Sequence, residues 1–322
     1  MSALPTFAFE STAEDVATAL ADNIRGKNVL ITGTSLNGIG FEAARVIAKH
    51  ANLVVITGYN AERLKLSEDA IKKDIPSANV RRLTLDLSSL AAVRKAAAEV
   101  NAYPEPTIDV VVHNAAAAVA GFKLSADGYE SQIATGHLGP FLFTKLIAPK
   151  LLSAKSTARV VYVSSGAHAF GPGVTLDLLR KPDESKYTPV GAYAETKAAE
   201  ILTAIELSRR SDGKILGFSL HPGVILTNIN TAQDSIPVMQ SIGILTADGK
   251  PNTKDWQWKT MAQGAATTVA AAFDPRIASS PGAYLDDSKI ATDTVAEHSK
   301  DPVAAQKLWD VTEEILGEKF VF

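Results

Sequence analysis

Two side chains in one short segment could transfer a proton. The segment reads GAYAETKAAEIL, and in it Tyr193 and Lys197 stand four residues apart. In a helix this spacing places both side chains on one face, one turn apart. A neighbouring ammonium group favours the phenolate form of a tyrosine, which brings Tyr193 into the range of general acid and base catalysis. Upstream, the segment RVVYVSS ends in Ser164 and Ser165, where a hydroxyl could orient a carbonyl oxygen.

A glycine-rich loop, LITGTSLNGIG at residues 30–40, could bind a phosphate. It follows an apolar run and precedes an amphipathic stretch, and a helix that starts at such a loop offers free backbone N–H groups. Gly33 suits the positive φ of the turn, while Gly38 and Gly40 let a pyrophosphate and the adjoining strand approach closely. Four residues separate the TG and GIG parts, and we expect the additional residue on the outer, solvent side. The loop predicts a dinucleotide site, with a purely structural turn as the alternative.

The segment VVITGYNAERL bears on the choice of dinucleotide. An acidic residue after the second strand would bind the 2′-hydroxyl of NAD. Gly58 and Tyr59 stand there instead, so no carboxylate repels a 2′-phosphate. We therefore expect NADP(H) to be favoured over NAD(H), with a solvated surface charge as the alternative role of the arginine in this segment. The candidate contacts to the 2′-phosphate are Ser35, Asn37, Tyr59, Asn60 and Arg63.

The rest of the chain alternates apolar runs with amphipathic stretches. The runs are rich in Val, Ile and Leu, as in strands that are buried on both faces. Alternation of strands and helices predicts an α/β fold with a Rossmann-type doubly wound parallel sheet in a single domain. We expect this domain at residues 27–322, after an N-terminal helical extension at residues 1–26. The pattern Ser11-x-x-Glu14 predicts a capping box at the start of the first helix.

Two long segments, 166–190 and 228–259, interrupt this alternation. Both follow predicted strands, at the carboxyl edge where open α/β sheets bind ligands. Long insertions at that edge usually serve function, although a surface loop without a role is the alternative. Segment 228–259 is apolar and contains Trp256 and Trp258, so we expect it to be a lid over a lipophilic or aromatic substrate.

Composition and charge exclude several classes of function. The net charge is −3, without a basic run, which argues against nucleic-acid binding. The chain has no cysteine and its six histidines are scattered, so no metal site is expected. The first ten residues, MSALPTFAFE, do not resemble a signal peptide, and no apolar window is long enough for a membrane span. We expect a cytoplasmic protein.

Several short motifs, taken in chain order, resemble one family. They are TGTSLNGIG, LDLSS, HNAA, VSSGAH, YAETK and HPGVILTN. This order resembles the short-chain dehydrogenases/reductases, and the segments QGAATTVAAAF, PGAYLDD and AQKLWDVTEEILG are similar to the retinol-dehydrogenase and WW-domain-oxidoreductase branch, without a WW domain. The resemblance covers about residues 25–317. It implies an NAD(P)-dependent oxidoreductase that acts on a small-molecule carbonyl or alcohol substrate.

The resemblance also implies a role for individual residues. Tyr193 would be the general acid and base, Lys197 would hold the nicotinamide ribose and tune Tyr193, and Ser165 would hydrogen-bond the substrate oxygen. Asn114 would lie along a ribose or tie strands together, and His221 would be a packed neighbour. The implied cofactor contacts are Gly33, Ser35, Leu36, Asn37, Gly38, Ile39, Gly40, Tyr59, Asn60, Arg63, Asp86, Leu87, Asn114, Ala115, Ala116, Tyr193, Lys197, Pro222, Gly223, Val224 and Thr227.

One departure from the branch concerns its proton relay. The branch has NHLG where this chain has TGHLG, so Gly136 replaces an asparagine. Pro140 has no N–H to bond the carbonyl of Gly136, and we hypothesise that this carbonyl and a water replace the asparagine side chain. A redox-sensing, nucleotide-binding protein with lost or weak turnover is the alternative function, and a sugar-nucleotide epimerase is less favoured. A homodimer is left open.

Overall fold

The computed structural model describes residues 4–322 and contains ten strands. The strands are β1 Asn28–Ile31, β2 Leu53–Gly58, β3 Val80–Thr84, β4 Val110–His113, β5 Ala158–Val163, β6 Ile215–Leu220, β7 Val224–Ile225, β8 Trp258–Lys259, β9 Tyr284–Asp286 and β10 Lys289–Ile290. The first six and β9 lie within the apolar runs of the sequence, because a run of Val, Ile and Leu suits a strand that is covered on both faces.

Fourteen α-helices fill the intervals in this part of the chain. They are α1 Ala13–Ala19, α2 Ala21–Ile24, α3 Ile39–Ala48, α4 Ala61–Asp74, α5 Leu90–Asn101, α6 Ser131–Ile133, α7 Gly139–Leu152, α8 Leu176–Arg180, α9 Pro189–Arg210, α10 Asn228–Thr231, α11 Ile236–Ser241, α12 Met261–Phe273, α13 Glu297–Lys300 and α14 Pro302–Leu316. A π-helical turn, Ala134–Leu138, connects α6 to α7. None of the helices in residues 4–322 has the length and apolar character needed to cross a membrane.

Eight of the strands form one sheet in the order β10-β9-β6-β5-β4-β1-β2-β3. All neighbouring strands are parallel except β9 and β10, which form an antiparallel pair. The chain moves outward from β1 to β3 and then returns to the other side of β1 with β4. This reversal creates a crevice at the carboxyl ends of the strands, where doubly wound folds bind ligands. The predicted fold class is therefore confirmed.

The sheet has a hydrophobic core on each face. Side chains alternate along β1, so Val29 and Ile31 pack with one core while Leu30 packs with the other. Helices α1, α3 and α12 cover the first face, and α5, α7 and α14 contribute to the second. These two layers hold the strand ends, and therefore the loops that follow them, in fixed positions.

The first helix begins one residue later than the sequence pattern predicted. The capping box is formed by Thr12 and Asp15, whose side chains bond each other's backbone N–H groups. Ser11 instead accepts from the N–H of Ala8, and Glu14 pairs with Lys49, so the predicted Ser11–Glu14 capping box was wrong. Val16, Leu20 and Ile24 are fully buried, as their helical spacing in the sequence suggests. Helix α1 packs on α12 and α3; the boundary at residue 26 stays a prediction.

The C-terminal helix covers the outer side of α9. Helix α14 packs along α9, and Trp309 contacts Phe141 of α7 and Phe320 of the C-terminal segment, with ring centroids 4.6 and 5.3 Å away. Because α14 covers this side of α9, a second copy of the chain that bound there would contact α14 and not α9. A homodimer stays a prediction.

Candidate active site

One cleft of about 1280 Å³ lies at the carboxyl ends of the parallel strands. Ligand pockets for small molecules are typically about 300–1,000 Å³, so this cleft has room for a dinucleotide and a second molecule. Ser165, Tyr193 and Lys197 all line it, together with the glycine loop. A smaller cavity of about 320 Å³ near residues 171–188 includes none of these three residues.

The glycine loop is shaped by close backbone contacts. Gly33 has φ of 70°, and a Cβ atom there would lie 2.7 Å from the Cα atom of Ala115. A Cβ atom on Gly40 would lie 2.3 Å from the amide nitrogen of Asn114. Gly33 thus has the positive φ expected from the sequence, and Gly40 has no room for a side chain because the Asn114 side chain and the Gly33 carbonyl oxygen lie against it.

No side chain caps helix α3, which starts at this loop. Its N-cap residue is Gly38, whereas Asn60 caps α4 and Ser89 caps α5 through their side chains. The first N–H groups of α3 are thus left for a ligand, and Gly38 and Ile39 line the cleft.

The additional residue of the loop lies on the outside, as expected. Asn37 is exposed with φ of 61°, a left-handed conformation that asparagine tolerates. It does not line the cleft, and neither does the buried Gly40; Ser35 and Leu36 do. A direct contact from Asn37 to a cofactor therefore has no support in this geometry.

The region after β2 brings some of the predicted contacts to the cleft. Gly58, Tyr59 and Arg63 line its edge, and Tyr59 is 69% exposed. Asn60 does not line it, because its side chain accepts the backbone N–H of Arg63 at 2.9 Å to cap α4. Asn60 is therefore a helix cap and not the predicted cofactor contact, a use that asparagine commonly has before a helix.

Asn114 ties the loop to the sheet. Its side-chain amide donates to the carbonyl oxygens of Thr32 and Gly33, at 2.9 and 3.0 Å. This geometry agrees with the second of the two roles considered for it. The other predicted residues of this wall that line the cleft are Asp86, Leu87, Ala115 and Ala116.

Helix α9 carries Tyr193 and Lys197 into the cleft. Thr188 caps the helix and Pro189 occupies its first turn, which fixes the start of the helix four residues before Tyr193. Lys197 Nζ lies 5.5 Å from the centre of the Tyr193 ring and donates to the carbonyl oxygen of Val163 at 2.9 Å. Strand β5 and helix α9 are thus joined through the lysine.

The two serines after β5 have different surroundings. Ser164 is buried and donates to the carbonyl oxygen of Lys197 at 2.7 Å, so it supports the helix. Ser165 is partly exposed at the cleft, and its hydroxyl accepts the N–H of Ala167 at 3.1 Å. That hydroxyl keeps its proton available for donation to a ligand oxygen.

The segment after β6 forms the opposite wall. Pro222, Gly223, Val224 and Thr227 all line the cleft. Burial, with a smaller effect of the Lys259 charge, lowers the pKa of His221 to about 4, so this ring is neutral. Its Nδ1 atom accepts the N–H of Gly166 at 3.1 Å, in agreement with a packed neighbour.

Apolar side chains surround the outer part of the cleft. Val119, Phe170, Met239, Ile242 and Trp256 all line it. The indole N–H of Trp256 donates to the carbonyl oxygen of Gly243, which fixes one tryptophan of segment 228–259 at the cleft. Trp258 is not part of the wall and packs beside Met239 and Leu245. Residues 117–121 and 123–125 also line the cleft, which was not predicted because nothing in the run AAVAGFKLS indicates its position.

Glu200 is a further residue of the site that was not predicted from the sequence. Its carboxylate accepts hydrogen bonds from Lys197 Nζ at 2.9 and 3.0 Å, and both side chains are 3% exposed. Burial raises the pKa of Glu200 to about 7, although Lys197 acts in the opposite direction. Burial alone would lower the pKa of Lys197, but Glu200 and Tyr193 together raise it, so the lysine stays charged.

Gly136 lies directly beside this pair. A Cβ atom at Gly136 would lie 2.4 Å from the methyl carbon of Thr196 and 3.2 Å from Oε1 of Glu200. The space for a side chain at position 136 is therefore already occupied. The hypothesis that a water and the carbonyl of Gly136 replace the asparagine stays a prediction, and it did not consider the Glu200 carboxylate beside this position. No group of three His, Cys, Asp or Glu in residues 4–322 could hold a metal ion.

Comparison with known proteins identifies relatives over nearly the whole chain. A profile of the family described as short chain dehydrogenase matches residues 27–175. The chain is 33% identical to short-chain dehydrogenase TIC 32 B, chloroplastic, of Brassica napus, over 93% of this chain and 91% of that protein. It is 33% identical to the WW domain-containing oxidoreductase of Danio rerio, over 92% and 70%. It is 30% identical to human retinol dehydrogenase 14, over 91% and 87%.

Solved structures agree on the fold. An uncharacterised protein from Mycobacterium paratuberculosis matches with a TM-score of 0.69 and 26% identity, over 94% of this chain and 98% of that one. An NADPH-bound carbonyl reductase from chicken fatty liver matches with a TM-score of 0.59 and 19% identity, over 83% and 99%. The latter similarity concerns the fold alone.

Proposed function

The chain belongs to the short-chain dehydrogenase/reductase family, and from this premise we propose that it is an NADP(H)-preferring oxidoreductase acting on lipophilic or aromatic carbonyl and alcohol substrates. One observation carries the proposal. Ser165, Tyr193 and Lys197 line the same cleft as the uncapped start of helix α3. A phosphate site and an acid–base site in one cleft are what hydride transfer to a carbonyl requires.

The residues of the chain divide the work between binding and proton transfer. The uncapped N–H groups of α3 and the glycines beside them would hold the pyrophosphate, and the bound nicotinamide would supply the hydride. Ser165 would donate a hydrogen bond to the substrate oxygen. Tyr193 would give that oxygen a proton in reduction and take it back in oxidation, while Lys197 orients the site.

The preference for NADP(H) rests on the edge of the cleft after β2. Gly58 contributes no carboxylate, and Arg63 and Ser35 line the cleft close to that edge. A guanidinium is well suited to a phosphate monoester. The structurally similar carbonyl reductase from chicken contains NADPH, which agrees with this proposal without deciding it.

The substrate class follows from the apolar outer wall. Phe170, Met239 and Trp256 offer aromatic and flexible apolar surface next to the catalytic residues. Such a wall favours a substrate with a large apolar group, and segment 228–259 would close over it as a lid. The family name, dehydrogenase/reductase, includes both alcohol oxidation and carbonyl reduction, so it does not determine the direction of the reaction. A cytoplasmic location stays a prediction, to be checked by imaging a tagged protein.

A panel of aromatic and aliphatic ketones and aldehydes, assayed with NADPH and with NADH, tests the proposal. We expect turnover that is faster with aromatic substrates and with NADPH. Tyr193→Phe should lose it, while Tyr103→Phe, whose hydroxyl bonds Glu99 outside the cleft, should keep it. Tight NADPH binding without turnover of any member of the panel would favour the redox-sensing alternative. No contact in the described structure favours that alternative.

A further inference from the structure

Lys197 and Glu200 form a buried ion pair behind the catalytic tyrosine. An ammonium group has three hydrogens to donate. Lys197 Nζ gives them to the carbonyl oxygen of Val163 and to the two carboxylate oxygens of Glu200, all at 2.9–3.0 Å. Within residues 4–322 the Glu200 carboxylate accepts hydrogen bonds from Lys197 alone. The pair is therefore isolated from other ion pairs of the helix, and Lys197 can donate to a cofactor ribose, as the resemblance implied, only in exchange for one of these three bonds.

The residues around Glu200 leave space for its carboxylate beside Lys197. Gly136 lies in the π-helical turn, and Oε1 of Glu200 would be 3.2 Å from a Cβ atom at that position. The methyl group of Thr196 fills the rest of the space. The Glu200 carboxylate thus lies next to the place that a side chain at position 136 would take. Packing and the bonds to Lys197 hold it there.

The pair changes the charge that Tyr193 experiences. A lysine alone would place one positive charge behind the phenol ring, which favours the phenolate. A lysine with an ionised glutamate in bidentate contact places almost no net charge there. Because both groups are buried, little solvent is present to weaken this effect.

We propose that Glu200 is a positioning residue that neutralises the charge of Lys197, so that less positive charge acts on the Tyr193 hydroxyl and the site serves proton donation in carbonyl reduction. This inference rests on the proposed function. As the carbonyl carbon gains a hydride, the C=O π electrons move to oxygen, and the O–H bond of Tyr193 breaks to protonate that oxygen. The phenolate that remains is protonated again from solvent. Glu200 itself touches neither substrate nor cofactor in this scheme.

The titratable groups around Glu200 are few. In its own helix they are Lys197 and Tyr193, and from β5 the buried phenol of Tyr162 faces it. His137 of the π-helical turn is kept neutral by burial and bonds Thr312 and Thr203. Strand β6 and helix α6 have no titratable side chain, and burial lowers the pKa of His168 in the 3-10 turn Gly166–Ala169, which also packs on α9. On α14, Glu313 pairs with Lys319 and Asp310 with Arg210, and on α13 Lys300 pairs with Glu297.

Ultraviolet titration of tyrosinate in the cofactor-free protein tests the inference without substrate. The signal of Tyr193 is obtained as the difference between each protein and its Tyr193→Phe counterpart. In Glu200→Gln we expect the midpoint to fall by about one pH unit or more, because the positive charge of Lys197 is no longer balanced. Glu200→Asp keeps the charge and should keep the wild-type midpoint. An unchanged midpoint in Glu200→Gln would overturn the inference.

A matched control distinguishes the effect of the negative charge beside Lys197 from the effect of removing any buried glutamate of α9. Glu206 is also buried in this helix and pairs with Arg209 and Arg210, outside the cleft. Glu206→Gln should leave the tyrosinate midpoint where it is; a shift equal to that of Glu200→Gln would contradict the specific role of Glu200. With substrate, the acid limb of alcohol oxidation in Glu200→Gln should move to lower pH by the same amount.

An infrared titration of the wild-type protein covers the case in which Glu200→Gln does not fold. The inference requires Glu200 to be ionised at the pH at which Tyr193 titrates, so the C=O band of a protonated buried carboxyl group should be absent there, in the wild-type protein and in Glu206→Gln alike. A buried carboxyl group that is still protonated at that pH would overturn the inference. Absence of turnover together with the expected titration would instead refute only the proposed enzymatic function.

Discussion

Replacing Gly136 with asparagine, the residue that the related branch has there, should destabilise this protein. The new Cβ atom would lie 2.4 Å from the methyl carbon of Thr196 and 3.2 Å from Oε1 of Glu200. Contact at 2.4 Å is far inside van der Waals distance, and both neighbours are buried in α9, so neither can move without disturbing the helix. The same change should weaken the Lys197–Glu200 pair.

The size of the effect follows from this overlap. Overpacking a dense core costs about 1–3 kcal/mol, and the amide adds a buried polar group without an assigned partner. We expect Gly136→Asn to lower the free energy of unfolding by about 2–4 kcal/mol. In a chain of 322 residues each kcal/mol corresponds to about 1.5 °C in the melting temperature.

Chemical denaturation and thermal melting of the purified variants measure this effect. Gly121→Asn is the matched control, because nothing lies within 4 Å of a Cβ atom at Gly121. Thr196→Ser removes the methyl group, so the double variant Gly136→Asn/Thr196→Ser should recover part of the loss. If Gly136→Asn were as stable as Gly121→Asn, the space at position 136 would be free, and the hypothesis of a water and a backbone carbonyl would regain its basis.

Three further predictions concern the cleft and the core. Tyr193→Phe should lower the rate of carbonyl reduction by about 10²–10⁴-fold while the dissociation constant of NADPH stays nearly unchanged, because only the proton donor is lost; fluorescence titration and steady-state kinetics check both, and retention of half the activity would contradict the assignment. Gly58→Asp should shift the preference toward NADH, since the nearest atom to a new Cβ there is 3.9 Å away and the carboxylate repels a 2′-phosphate; comparison of the two dissociation constants checks this, and unchanged NADPH binding would refute it. Burial lowers the pKa of His113 and His137 to about 3 from 6.5. Between these two pH values the histidines bind a proton in the unfolded state but not in the folded state, so the free energy of unfolding is highest above pH 6.5 and falls as the pH approaches 3. Denaturation at a series of pH values should show a loss of about 1.4 kcal/mol per histidine for each pH unit below 6.5, and Phe or Asn at either position should reduce that slope.

Local chemistry explains why the strands and the glycine loop could be predicted. Val29, Leu30 and Ile31 are apolar on both sides of the strand, a pattern that only a covered parallel sheet accommodates well. Gly33 is constrained by its own positive φ and by the approach of Ala115. Tyr193 and Lys197 share a helix, so their distance is determined by their spacing in the sequence.

Features that depend on tertiary contacts could not be predicted in the same way. Glu200 follows Lys197 by three residues, a spacing that is typical of solvated pairs on a helix surface, and only the packing of α9 on β5 buries it. The two-residue strands β7 and β8 exist because segment 228–259 returns to the end of β6. Asn60 could cap a helix or bind a ligand, and the sequence alone does not distinguish the two uses.

Transfer of deuterium from NADPH labelled at its transferable position is the most direct test of the central claim. The wild-type protein is incubated with labelled NADPH and an aromatic ketone, and the alcohol is analysed by mass spectrometry. We expect one deuterium on the carbinol carbon of the product, and loss of this product in Tyr193→Phe. A wild-type protein that binds NADPH but forms no deuterated alcohol from any ketone or aldehyde of the panel would contradict it.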